Sequence, residues 1–337
     1  MRDKSKHIFF LCLCMYAGCQ DAFAQDPHFS QYFSSPLTFN PAFAGYFDGT
    51  QRFTVNARTQ WANVGDTYTT GTVSFDTKIM KGKIADNDRW GIGIHALYDQ
   101  SSGGVFKNSY VSFSTAFNKG LDAEGDQSIG IGIQATIAHN AVDFNKISFS
   151  NQFTGSGFDL YVPNGETISN QSITYIDLNA GILYNYKIEN GSQFSFGASI
   201  FHILGPRLSF FSGNNNSLAR RYTFHAGGSF DVGDNNDFFV SGHIMQQGGA
   251  SEYVIGGACG FGVGNSQTSL YAGGWLRAGD ALYPYLSLRT PEYQFGLSYD
   301  ITSSDINQSN RFTDSTEISF IYFFNADRRK KGIPCFF

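Results

Sequence analysis

Between Gln51 and Phe324 the chain alternates, in run after run of about 10 residues, between apolar residues and small or polar ones, with turn-rich stretches in between. A period of two puts the two sets on opposite faces of a strand. From Trp90 to Tyr98 one face carries Trp90, Ile92, Ile94, Ala96 and Tyr98, and the other Gly91, Gly93, His95 and Leu97. From Ile129 to Ile137, four isoleucines and Ala135 oppose Gly130, Gly132, Gln134 and Thr136. The same division recurs over Ile176–Tyr186, Tyr222–Phe230 and Tyr293–Asp300. In a soluble sandwich the solvent face usually carries Lys and Glu. Here the non-apolar face is Gly, Ser, Thr, Asn and Gln, and the charges collect between the runs, as in Lys81–Arg89. That pattern predicts an all-β, transmembrane antiparallel barrel, with the apolar set facing lipid and the small polar set facing a narrow, hydrated or plugged lumen.

No segment beyond the first residues offers the roughly 18 consecutive apolar residues of a membrane helix. High Phe (34), Tyr (18) and Gly (38) with low Pro (8) fit many strands, with aromatics expected at the two water–lipid interfaces. About fourteen runs can be counted, an even number that returns both ends of the barrel to the periplasmic side. The alternation is weakest over Thr268–Arg277 and Ala281–Arg289, where Gly and Pro284 blur its phase, so twelve or sixteen strands are alternatives. The longest connections, Ala141–Ser172 and Gly205–Arg220, both follow odd-numbered runs and fall outside if the first run goes outward. Phe144, Phe149, Phe153 and Phe158 in the first of them predict a packed cap or an inward fold.

The chain begins with Arg2, Lys4 and Lys6, an apolar run from Ile8 to Ala17, and Ala22-Phe23-Ala24. This predicts a signal peptide cleaved near Ala24 and export to the outer membrane. Tyr16-Ala17-Gly18-Cys19 loosely resembles a lipoprotein cleavage box, with Tyr where Leu is usual. Without residues 1–24 the chain keeps 20 Lys and Arg against 26 Asp and Glu, a net charge of −6 with His neutral, so nucleic acid is not the expected partner. Cys259 and Cys335 alone survive cleavage, and two thiols so far apart make no disulfide framework. The predicted organisation is a signal peptide (1–24), a periplasmic or plug segment (25–50), the barrel (51–325) and a basic periplasmic tail (326–337).

Motifs for chemistry have plainer explanations. Gly130-Ile131-Gly132-Ile133-Gln134-Ala135 fits a dinucleotide loop in spelling, but the alternation runs straight through it where a helix would have to start. His202, His225 and His243 lack ligand spacing and stand as lumen or interface histidines. No Ser-His-Asp set stands out, so no catalytic, cofactor-binding or metal residues are assigned and an enzyme is not expected. Asp177, Asp300 and Glu317 are expected in a polar lumen network, with Arg58 or Arg289 as partners.

The segment Gln25-Asp26-Pro27-His28-Phe29-Ser30-Gln31-Tyr32-Phe33 continues through Pro36 and Asn40-Pro41-Ala42-Phe43-Ala44-Gly45. With Arg58–Trp61, Phe196–Ser199, His202, Pro206, Ser298-Tyr299-Asp300 and Ile333-Pro334-Cys335, it resembles the PorP/SprF family of Bacteroidota, associated with type IX secretion and gliding motility. The resemblance covers essentially the whole mature chain. The chain departs at the end, where Cys335-Phe336-Phe337 stands in place of an expected Cys-Pro-Arg-Phe. The resemblance implies an accessory barrel that helps secrete or anchor cell-surface adhesins carrying a type B C-terminal targeting domain. It also implies partners among periplasmic secretion subunits or peptidoglycan-binding lipoproteins, besides outer-membrane lipid. The competing function is a passive porin or small-molecule transporter.

Three regions are the candidate partner or plug contacts. Asn40, Pro41, Phe43 and Gly45 lie in a stretch whose prolines forbid a long strand, which predicts a plug or brace inside or beneath the barrel. Phe153 and Phe158 are placed to grip an incoming β-domain from an external loop. Arg328, Arg329, Lys330 and Lys331 are either a solvated end or a dock for an acidic periplasmic subunit, through contacts that salt would screen.

Overall fold

A computed structural model describes residues 26–325, apart from 63–66, 167, 169, 189–190, 212–215, 233–235, 265–266 and 304–313. The signal peptide, Cys335 and the basic residues Arg328, Arg329, Lys330 and Lys331 lie outside the described residues. Fourteen antiparallel strands close into a single barrel, each pairing with its sequence neighbours and β1 pairing with β14. They are β1 (Gln51–Gln60), β2 (Tyr68–Ile79), β3 (Arg89–Ser101), β4 (Phe106–Gly120), β5 (Gln127–Val142), β6 (Ser172–Lys187) and β7 (Gln193–Phe201). They continue as β8 (Arg221–Asp231), β9 (Asn236–Gln247), β10 (Ala250–Gly262), β11 (Ser269–Arg277), β12 (Ala281–Arg289), β13 (Tyr293–Thr302) and β14 (Ser315–Phe324). Closure removes every sheet edge, which a lipid environment requires because it offers no water to unpaired backbone groups.

The alternation divides the faces as the sequence predicts. Ile129, Ile131, Ile133 and Ile137 of β5 are exposed on the outside, while Gly130, Gly132, Gln134 and Thr136 between them are buried. On β1 the buried, inward set is Arg52, Thr54, Asn56 and Arg58. The connections 143–171 and 202–220 leave the same end of the barrel, called here the loop end. The opposite end, where residues 50 and 325 lie, is the turn end, and in bacterial barrels the short turns are periplasmic.

The two strands whose phase the sequence blurs are regular. Leu270 and Leu276 of β11 and Leu282 and Leu286 of β12 face outward, while Tyr271, Trp275, Tyr283 and Tyr285 face inward and are buried. Both faces are apolar here, so hydropathy does not alternate although the backbone does. Many of the aromatics are therefore lumenal and not in an interfacial belt as composition implies. Pro284 has no N–H to donate, and the β12–β13 register skips from Leu282↔Ile301 to Tyr285↔Ser298.

Candidate functional site

The inward aromatics have a partner. Residues 26–50 enter the lumen at the loop end and run down it to the turn end, where Gln51 starts β1. Prolines keep this stretch out of the sheet. It forms a 3-10 turn (Tyr32–Ser34), a single α-helical turn (Pro36–Phe39) with Pro36 in its first position, and a 3-10 turn (Pro41–Phe43). Asn40 caps the last of these, its Oδ1 accepting from Ala42 N at 2.9 Å. Tyr32, Phe33, Phe39 and Phe43 then form one buried cluster with Phe239, Tyr271, Trp275, Tyr283 and Tyr285 of the wall. Phe33 meets Trp275 at 5.2 Å and Tyr285 edge-on at 5.3 Å between ring centroids.

On the opposite wall the segment needs space, not rings. Ala44 and Gly45 lie against Gly91, where a Cβ would stand 2.1 Å from Ala44 O. A Cβ on Gly132 would stand 2.4 Å from Ala42 N, and at Gly181 a Cβ would fall 1.9 Å from Asn40 Oδ1. Glycines at three inward positions on β3, β5 and β6 thus form a seat, for backbone at Gly91 and Gly132 and for the Asn40 side chain at Gly181. Gly132, the second glycine of the dinucleotide-like spelling, is part of that seat.

Polar contacts complete the fit, because buried polar groups must be matched. Asn40 Nδ2 donates to Ile182 O at 3.0 Å and Ala198 O at 3.3 Å, and lies 3.0 Å from His225 Nε2. Gln134 donates to Leu37 O, Ser199 to Phe39 O and Arg221 to Thr38 O. Gly45 N donates to Asp76, whose two oxygens also take Arg52 Nε and NH2, each at 2.9 Å, in a fully buried pair. Gln31 donates to Ser298 and accepts from Ser319, and Ser30 N and Gln31 N both donate to Glu317. Leu37 and Ala44 pack on Ala116, His28 pairs with Glu252, and Tyr32 bonds Ser241. Every one of the fourteen strands is touched by residues 26–45. Two voids beside the segment hold about 10 and 20 Å³, room for single waters.

The loop end of the segment is ionic. Asp26 lies 2.7 Å from His202 Nε2 and 3.0 Å from Arg221 NH1, and its N–H donates to Gln247. His202 Nδ1 meets Asp177 at 2.5 Å. Burial alone would lower the His202 pKa, but the Asp26 carboxylate and the bond to Asp177 outweigh it and hold the pKa up at about 9. A second knot joins Ser30, Arg58, Asp300, Arg277 and Glu252, with Arg58–Asp300 at 2.9 Å and Arg277 3.3 Å from both carboxylates. Asp177, Asp300, Glu317 and Arg58 are thus lumenal and bonded, whereas Arg289 donates to Gln294 and lies over the Phe323 ring. His243 pairs with Glu252 and contacts the Tyr32 ring.

The two long loops are fastened to each other. Ile168 bridges Phe211, and the Phe144 ring meets Phe149 at 6.5 Å and Phe211 at 5.8 Å. Phe153 and Phe158 form an antiparallel bridge with rings 5.3 Å apart, and both are more than half exposed. Leu160 and Tyr161 extend this exposed apolar strip, Tyr161 at 98 %. Sequence reasoning did not single out these two, nor the Arg52–Asp76 pair, although a charge at an inward position of an alternating run is its signal.

Of the predicted candidates, then, Asn40, Pro41, Phe43 and Gly45 lie inside the lumen, and Phe153 and Phe158 stand on the loop crown. Of the segment 25–50, only its last residues reach the turn end, while Asp26 lies at the loop end.

A closed sheet with an apolar outer face and a lumen occupied by the chain's own N-terminal segment defines an outer-membrane β-barrel with an internal plug. A family model described as type IX secretion system membrane protein PorP/SprF matches residues 21–322, and the chain belongs to that family. No curated protein matches it. Among solved structures, the toluene transporter TodX of Pseudomonas putida is 9% identical with a TM-score of 0.53, covering 90% of this chain and 98% of that one. The toluene transporter TbuX of Ralstonia pickettii is 11% identical with a TM-score of 0.50, covering 91% and 96%. At such identities the likeness concerns the fold alone.

Proposed function

We propose that this chain serves type IX secretion as a closed accessory barrel. It helps secreted cell-surface proteins reach or stay on the surface by holding their C-terminal targeting domain at its external loops. The observation that carries this reading is the filled lumen. A segment that touches all fourteen strands fills the lumen along the described residues, so the working surfaces of the barrel are its ends. At the loop end, Phe153, Phe158, Leu160 and Tyr161 offer apolar side chains to water with no intramolecular cover over most of their area. Such a strip fits an incoming β-domain, whose own apolar side chains or free edge would cover it. The turn end is the place for a periplasmic subunit, and the basic tail is its proposed contact. A gliding adhesin is one cargo that fits this scheme.

Affinity purification of the tagged barrel from its native host, with mass spectrometry of what accompanies it, tests the proposal. The expected result is recovery of a large secreted protein, lost when residues 153–158 are deleted while the barrel stays resistant to heat in detergent. Recovery of the barrel alone, with steady ion conductance in a planar bilayer, would favour a porin instead.

A further inference from the structure

Most carboxylates that face the lumen are matched. Asp76, Asp300 and Glu252 each meet an arginine, Asp177 meets His202, and Glu317 takes N–H groups of Ser30, Gln31 and Asn56. Asp99, near the loop end of β3, is not. It accepts from Thr70 Oγ1 at 2.6 Å and has no ion pair among the described residues, since His28, which acts on it, is bonded to Glu252. Register places Thr70, Asp99, Asn108 and Asn140 side by side on β2, β3, β4 and β5, all facing inward. The Oδ1 atoms of Asn108 and Asn140 are both shielded and accept no hydrogen bond. Thr72, next below Thr70 on the same face and 5% exposed, also has an unpartnered hydroxyl. On these four strands the plug rests on Asp76, Gly93, Ala116 and Gln134. Asp99 stands six residues beyond Gly93, about 20 Å of strand nearer the loop end.

We infer that this row binds a calcium ion that enters from the loop end. A carboxylate and two amide oxygens set next to one another with no donor between them repel, and a positive ion among them removes the repulsion. What the row lacks is therefore positive charge. Its ligands are hard oxygens throughout: the Asp99 carboxylate, the Asn108 and Asn140 carbonyls and the Thr70 hydroxyl. Such a set suits calcium or magnesium and offers no nitrogen or sulfur to a softer metal. The sheet then chooses between the two. Asp99 and Asn140 stand two strand spacings apart, roughly 9.6 Å, with Asn108 between them, a span that two short side chains and two metal–oxygen bonds can bridge. Calcium accepts 6–8 oxygens at about 2.3–2.6 Å in irregular geometry, and waters from the mouth would complete its shell. Magnesium needs a near-ideal octahedron at about 2.0–2.1 Å, which ligands fixed at strand spacing do not give. With one carboxylate the affinity belongs to the weak class of extracellular sites, about 10⁻⁴–10⁻³ M. The ion would join β2 to β5 just where β5 runs out into the long loop 143–171, and so steady the base of the crown.

The test is terbium luminescence of the purified barrel in detergent, excited through tyrosine. Tyr110 lies next below Asn108 on the same inward face, and Tyr175 is bonded to Asn140, so an ion in the row sits close to both rings. The wild type should give a signal that saturates at one ion per barrel. Calcium should displace it with a midpoint of about 10⁻⁴–10⁻³ M, and magnesium at the same concentration should not. Asp99→Asn keeps the shape and removes the charge, and Asn108→Ala removes a neutral ligand. Asp159→Asn, on the exposed crown, controls for adventitious binding to surface carboxylates. Heat-modified gel mobility confirms that each is folded, and either row variant alone suffices if the other does not fold. Calcium affinity should fall about 10-fold or more in the row variants and stay unchanged in Asp159→Asn. No signal in the wild type, a signal that calcium does not displace or that magnesium displaces equally, or undiminished affinity in a folded row variant would overturn the assignment.

Discussion

The two ends of the plug are held in different ways. At the turn end the segment runs directly into β1, and its last contacts are a desolvated Arg52–Asp76 pair, a glycine seat at Gly91, and Phe47 beneath the Arg52 guanidinium at 4.7 Å. At the loop end nothing within the described chain precedes Asp26, and the segment is tied down by ion pairs through His202, Arg221 and Glu252. The first end is held by chain continuity, fit and a buried ion pair. The second depends on ion pairs that include a histidine, so its hold varies with pH through His202. A brace built this way is expected to loosen first at the loop end.

The largest effect is expected where the fixed end is broken. Arg52→Ala leaves the Asp76 carboxylate buried without its partner, a loss of about 3–5 kcal/mol. Urea unfolding in detergent should show it, and a midpoint like that of the wild type would mean the pair is dispensable. Next comes the seat. Gly132→Ala drives a methyl group into Pro41 and Ala42 backbone with no flexible side chain to yield, so the cost should lie near the upper end of the roughly 1–3 kcal/mol of overpacking. Protease sensitivity within residues 26–45 should rise in step, and an unchanged cleavage pattern would show that the segment does not rest there. Asn40→Ala, in the middle, removes a cap and the bonds to two wall carbonyls, for about 2 kcal/mol.

The smallest effect should separate the ends most cleanly. The His202 pKa is raised in the folded state above its usual 6.5, so the latch contributes fully below pH 6.5 and its contribution fades as pH rises through about 9. Hydrogen exchange corrected for intrinsic rates should therefore show protection near Ser30 falling between pH 7 and 10 while Gly45 is unaffected. His202→Asn should flatten that dependence. Parallel loss at both positions would mean that the plug opens as one piece.

The fold was legible because the period of two survives wherever one strand face meets lipid and the other meets small polar residues. It was blurred at β11 and β12 for a physical reason, since Tyr271, Trp275, Tyr283 and Tyr285 face a partner from a distant part of the chain, and hydropathy cannot tell a lumenal ring from a lipid-facing one. Pro36 and Pro41 showed that their segment is not a strand, and Arg58, Asp177, Asp300 and Glu317 pointed to a lumenal network because charge in an alternating run must face inward. The direction of the plug was not legible. It is set by long-range pairs such as Asp26 with His202 and Gly45 with Asp76, which leave no local pattern. The glycines of β3, β5 and β6 were visible as a narrow lumen, but their role as a seat needs the backbone they face.

The central claim, that the chain closes its own lumen, is tested most directly by planar-bilayer recording of the purified wild-type barrel at neutral pH. A barrel braced from within should insert without a steady conductance step. A constant open conductance would contradict the account.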